Sequence, residues 1–178
     1  MPKQISLPAA DEYASFYAGY VQRAAQRNKV LAALPQQIDQ LHAALDPLSD
    51  PQACFKPGPA EWSIKEVIGH LNDGERVFSY RLLRVSRGDA TPLPGFEQEE
   101  YVRAAGYDRY SLPALVSEFE FLRRANVIAI EHMTEAAIDC RGTASGYTIS
   151  ARALIYILIG HVDHHMASLN EKYLPGIQ

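Results

Sequence analysis

Apolar residues recur along this chain at intervals of three and four, and no stretch keeps the alternation of two that marks a half-buried strand. Val30, Leu31, Leu34, Ile38, Leu41 and Leu45 trace one face of a helix over 28–45. Pro35 falls inside that pattern. Proline costs about 3 kcal/mol in a helix interior but is tolerated in a first turn, so either a new helix starts at Pro35 or one helix bends there. Ser63 with Glu66 three residues on forms a capping box, and the helix it opens runs over 64–87 and stops at Gly88. Its face carries Val67, Leu71, Gly74, Phe78, Leu82 and Val85, with His70 at the edge. Ser111, with Pro113 in the first turn, opens another helix, supported by Leu115, Phe119, Leu122, Val127 and Ile130 as far as about Met133. A last helix begins near Ser150 and reaches about Tyr173, with an inward stripe of Leu154, Ile157, Leu158, His161, His165 and Leu169.

Between these lie shorter pieces. Asp11 is a candidate cap for a helix over 12–20, whose Tyr13, Phe16, Tyr17 and Tyr20 form an aromatic stripe that needs covering. The stripe packs on its own chain or on a second copy in a homodimer. Residues 88–110 form a long connection with room for a short helix over 97–104, and serve as a lid or rim, or as a crossover between distant helices. Residues 140–146 read as a turn with two glycines. Four substantial helices and shorter ones predict an all-α four-helix bundle. Residues 1–10 read as an N-terminal arm and 11–178 as a single domain.

Composition narrows the function classes. The chain has 178 residues, 17 Lys plus Arg against 21 Asp plus Glu, and a formal net charge of -4. With no basic block, nucleic acid is not the expected partner. No apolar run approaches a membrane span, and the first residues lack a signal-peptide pattern, so a cytoplasmic protein of one domain is expected. Cys54 and Cys140 stand alone, without thiolate-metal spacing, and are expected to be buried or idle thiols.

Three of the six histidines sit together in Gly160-His161-Val162-Asp163-His164-His165. His161 and His165, four apart on a helix, project from one face and suit a transition metal. His164, three from His161, can take the place of His165. His70, on another helix at the margin of the core, is the best third ligand, and such a set leaves a position open for chemistry. Asp73 and Glu66 share its side of the helix and are candidates to orient an imidazole or act as a base. Arg76, Arg81, Arg84 and Arg87 crowd the later turns, where they can bind an anionic substrate or simply favour the helix C-terminus. His42 and His132 lack company and are expected at the surface.

Trp62-Ser63-Ile64-Lys65-Glu66-Val67-Ile68-Gly69-His70-Leu71-Asn72-Asp73-Gly74-Glu75-Arg76 resembles the first signature of the DinB/YfiT-like family, and Gly160-His161-Val162-Asp163-His164-His165 the second. Leu93-Pro94-Gly95-Phe96-Glu97-Gln98 and Tyr101-Val102 are similar to one branch of it. The resemblance implies a bundle of up-down-down-up order and a divalent metal on His70, His161 and His165, which selects His165 over His164. Zinc or nickel comes first, with iron, manganese or copper as alternatives. It implies a stress-related bacterial metalloenzyme that transfers a low-molecular-weight thiol to an electrophile, or hydrolyses a small molecule, with metal-bound thiol or water as nucleophile. The remaining readings are a non-catalytic metal- or ligand-binding module and an oligomerisation protein with a vestigial site. The resemblance assigns no catalytic residue.

Overall fold

The computed structural model describes residues 5–27 and 29–177. Seven α-helices are described: α1 (Ala18–Ala25), α2 (Val30–Leu45), α3 (Ile64–Ser86), α4 (Gln98–Ala105), α5 (Leu112–Glu131), α6 (Glu135–Asp139) and α7 (Ala151–Ser168). The four long ones, α2, α3, α5 and α7, form the bundle, and α1 packs along α7.

Side-chain contacts fix the helix directions. Along α3 and α5 the partners rise together: Asn72 donates to the Leu115 carbonyl, Arg123 to Glu75, Asn126 to Ser79. These two helices are parallel. Along α2 and α5 they run oppositely, with Gln37 against Arg123 and His42 against Glu120. Along α3 and α7 they also run oppositely, since His70 meets His165 and Phe78 meets His161. The order is therefore up, down, down, up, and the long 87–111 connection returns the chain to the same end.

The helix starts follow the capping chemistry. Ser63 accepts from Glu66 N–H at 3.1 Å while the Glu66 carboxylate accepts from Ser63 N–H at 2.7 Å. Ser111 and Ser150 cap α5 and α7. Pro35 lies inside a continuous α2, so no new helix starts there. Asn28, the expected start of that helix, lies outside the described residues, as do residues 1–4 of the expected arm. Ile5, in the rest of the arm, is buried and its carbonyl accepts from Tyr156.

Three expectations need correction. The helix over 12–20 is absent: Glu12 turns back to accept from Ala9 N–H at 3.0 Å and from Arg152, leaving 3-10 turns and an extended Tyr13 before α1 starts at Ala18. The 140–146 region is not a mere turn. Strands β1 (Arg141–Ala144) and β2 (Tyr147–Ser150) pair antiparallel around Ser145-Gly146, both at positive φ, as a two-residue hairpin turn requires. The third concerns the end of the last helix, where Leu169–Tyr173 is a π-helical turn rather than a continuation of α7.

The core is divided. One apolar cluster holds Leu34, Phe78, Leu82, Ile130 and Leu154–Ile159 of α7; the other holds Ile38, Ile68, Leu71, Phe119, Val162 and Met166. Between them each long helix contributes polar or small residues: Gln37 from α2, Gly74 and Glu75 from α3, Arg123 and Asn126 from α5, Gly160 and His161 from α7. The bundle thus has a polar waist.

Candidate metal centre

His70, His161 and His165 meet at this waist. One ligand nitrogen from each lies within 4.8 Å of the others. The Nε2 atoms of His70 and His161 are 2.9 Å apart. Nitrogens shared by one tetrahedral ion are spaced at about 3.4 Å, within the range this set offers. His70 and His161 are buried and His165 is half-buried. His164 is exposed and lies outside the group, with its ring against Tyr20 and His165.

The three imidazoles are held neutral. Burial pulls His70 down to about 4, with the nearby His164 adding to it. Burial, then the neighbouring imidazoles, holds His161 and His165 well below the usual range. Neutral nitrogens with free lone pairs are what a transition metal needs. His70 Nδ1 is buried with no hydrogen-bond partner among the described residues.

Glycines permit this approach. A Cβ on Gly74 would stand 2.6 Å from His161 Cε1, and one on Gly160 1.9 Å from the Tyr20 carbonyl oxygen. Gly74 therefore admits the His161 ring between α3 and α7, and Gly160 lets α1 lie against α7. Tyr20 then packs edge-on against His161 at 5.3 Å.

The waist network fixes α7 just before His161. Arg123, fully buried, makes a two-pronged ion pair with Glu75 at 2.8 and 2.7 Å and donates to the Leu158 carbonyl. Gln37 accepts from Arg123 and donates to the Ile159 carbonyl and to Asp163, which also pairs with Arg27. Sequence reading missed Arg123 and Gln37. Their signal was a charged or amide side chain on an otherwise apolar helix face.

Above His70 and His161 opens a cleft of about 480 Å³. Tyr17, Tyr20, Phe78 and Phe96 line it, with Phe16 and Tyr147 at its exposed edge. The long connection supplies its rim through Gly95, Glu97, Gln98 and Glu99. Leu93 joins that connection to the hairpin by backbone bonds to Thr143 and Ser145. Of the aromatic stripe, Tyr17 is buried, Tyr13 and Tyr20 pack against the core and Phe16 is exposed.

Other candidates are engaged elsewhere. Glu66 is held by the cap and by Lys56 at 2.6 Å, and Asp73 by Tyr107, so neither orients His70. Arg76 pairs with Glu118, and Arg84 with Asp89 and Tyr80. Arg81 is buried and lines a cavity beside the cleft. His132 is exposed, while His42 is half-buried between Asp46 and Glu120 rather than free at the surface. Cys54 and Cys140 are free thiols, the first exposed rather than buried. No helix among the described residues is long and apolar enough to cross a membrane.

The sequence profile of the DinB superfamily matches residues 24–169. Among solved structures, YfiT from Bacillus subtilis, described as "a probable metal-dependent hydrolase with an unusual four-helix bundle topology", aligns with a TM-score of 0.72 at 12% identity, over 92% of this chain and 89% of that one. The mycothiol-dependent maleylpyruvate isomerase aligns with a TM-score of 0.65 at 16% identity, over 83% of this chain and 62% of that one. Both are likenesses of fold. No curated protein sequence matches the chain.

Proposed function

Because the chain belongs to the DinB superfamily, we propose that its three converging imidazoles hold a divalent metal ion and that the protein is a metal-dependent enzyme acting on a small molecule. The observation that carries this reading is the meeting of His70, His161 and His165, all held neutral, beneath an aromatic cleft. Three protein ligands leave one position free, as in catalytic rather than structural sites. When bound, such an ion acidifies a coordinated water or thiol, so that a nucleophile exists near neutral pH.

The chain's own residues do the rest. The Glu75–Arg123 pair and Gln37 hold α7 in register so that His161 keeps its position. The Tyr20 and Phe78 rings exclude water from one side of His161. The cleft takes a flat, mostly apolar substrate. The reaction is thiol transfer to an electrophile, or hydrolysis. The mycothiol dependence of one fold relative and the hydrolase description of the other support these two chemistries equally.

Metal analysis of protein purified without a histidine tag tests the reading. Wild type is expected to carry one equivalent of metal per chain, and His70→Ala and His161→Ala to carry none while remaining folded. Wild type that stays empty in the presence of excess zinc and nickel would sink it. A screen pairing glutathione, mycothiol and bacillithiol with small electrophiles then separates thiol transfer from hydrolysis.

A further inference from the structure

Arg81 is 2% exposed, yet it forms no ion pair among the described residues. Its guanidinium donates to three neutral oxygens: the Tyr17 hydroxyl at 3.1 Å, the Pro94 carbonyl at 2.8 Å and the Ser145 hydroxyl at 3.0 Å. A buried charge without a counter-charge is costly, and such charges are normally paired. Arg84 and Arg123 each have a carboxylate.

The direction of these bonds matters. A hydroxyl that accepts from a guanidinium keeps its own hydrogen to donate. Neither the Tyr17 nor the Ser145 hydroxyl has an acceptor for that hydrogen among the described residues. Both residues line the cleft that contains His70 and His161. Arg81 itself lines a side cavity of about 230 Å³, which shares Gly95 and Phe96 with the cleft. The charge is therefore relayed to the cleft through two polarised donors.

Ser145 carries a second sign. It is the non-glycine residue at positive φ among the described residues, at a turn position that asparagine, aspartate or glycine fills more readily. Its hydroxyl accepts from Arg81, a contact that glycine at this position would lack. Burial raises the Tyr17 phenol despite the opposing influence of Arg81, so it stays a proton donor at neutral pH.

We propose that Tyr17 and Ser145, backed by Arg81, form a subsite for the carboxylate of a flat apolar ligand lying in the cleft beside His70 and His161. The ligand's oxygens accept from the two hydroxyls, and its charge supplies what Arg81 lacks. Glu97 and Glu99 at the rim are solvent-exposed, and Glu99 already accepts from the Trp62 indole at 3.1 Å. Their repulsion is screened by water and salt, whereas the Arg81 charge acts in a low dielectric. As a statement of substrate class this rests on the enzymatic reading above. The binding itself does not need the metal.

The test is titration of the full chain, stripped of metal by chelator, with benzoate, benzyl alcohol and benzylammonium, followed by calorimetry or ligand-observed NMR. Benzoate is expected to bind at least about tenfold more tightly than the other two, the value of a charge-assisted hydrogen bond. Tyr17→Phe, which keeps the ring, and Ser145→Gly, which suits the positive φ of the turn, are each expected to weaken benzoate about tenfold and benzyl alcohol much less. Arg81→Gln should abolish the preference, with a thermal melt reporting whether it folds. Absence of benzoate binding, tighter binding of benzylammonium, or benzoate affinity indifferent to both hydroxyl variants would overturn the proposal. Because the protein is metal-free, failure here is distinct from failure to bind metal.

Discussion

The His161 ring fills the space that a side chain on Gly74 would occupy, with Cε1 2.6 Å from where that Cβ would stand. The glycine on one helix and the histidine on the other are two halves of one device. Gly74→Ala gains about 1 kcal/mol of helix propensity but overpacks the waist, which costs about 1–3 kcal/mol. The expected net effect on urea stability is a loss of about 0–2 kcal/mol. The site is affected more directly, because the His161 ring must shift. Zinc affinity, measured by competition with a chromogenic chelator, is expected to fall at least about tenfold, as for other disturbances of groups that orient a ligand.

Glu75 and Arg123 form an ion pair that is almost wholly buried, at 2% and 0% exposure. Removing one partner leaves the other charged and dry, which costs about 3–5 kcal/mol. Glu75→Gln and Arg123→Met are each expected to lower urea stability by about that much. The double variant Glu75→Gln, Arg123→Met is expected to be more stable than either single one, since it leaves no orphan charge. A double-mutant cycle in urea measures this. Additive losses would mean that the pair does not act as a unit.

The long helices were legible because their signals are local. The capping box of Ser63 and Glu66, the Gly88 stop and the 3.6-residue period are properties of a few neighbouring residues, and α3 appears as Ile64–Ser86. The helix directions came from resemblance, and contacts such as Asn126 with Ser79 make them explicit. The hairpin was illegible because its strands are four residues each, too short for alternation to show, and Ser145-Gly146 was taken only as a turn. The helix expected over 12–20 failed for a long-range reason: Glu12 is drawn to Arg152, 140 residues away. At the site, the spacing of His161 and His165 was readable, whereas His70 stands 91 residues earlier and was picked out by its place at the core margin and by resemblance; its Nε2 lies 2.9 Å from that of His161. The waist network was invisible for the same reason, since Arg123 acquires meaning only beside Glu75 and Gln37.

Gly160 is held to a stricter limit than Gly74. A Cβ there would stand 1.9 Å from the backbone oxygen of Tyr20, which has no rotamer to yield. Gly160→Ala must push α1 away from α7, and a loss of about 3 kcal/mol is expected. Tyr20 would leave His161 with it, opening that side of the site to water. Hydrogen exchange is expected to show faster exchange in α1 (Ala18–Ala25) with α5 (Leu112–Glu131) unchanged; a uniform increase would mean global destabilisation instead.

His42 gives the stability of the fold a pH dependence with a definite sign. Partial burial opposes its protonation, but hydrogen bonds to Asp46 and Glu120, at 3.1 Å each, outweigh it and raise its pKa above the ordinary 6.5. The folded protein therefore holds this proton more tightly than the unfolded chain. The stabilisation is complete below about pH 6.5 and is lost as pH rises through the higher folded value. Arg124 also pairs with Glu120 and keeps that carboxylate ionised throughout this range. The side chain is partly exposed, so the effect is modest and falls with added salt. His42→Gln keeps a polar group at the α2–α5 contact but removes the titration. Urea midpoints taken between about pH 5.5 and 8.5 are expected to show wild type losing its advantage over the variant as pH rises. A constant difference across that range would show that His42 is not the titrating group.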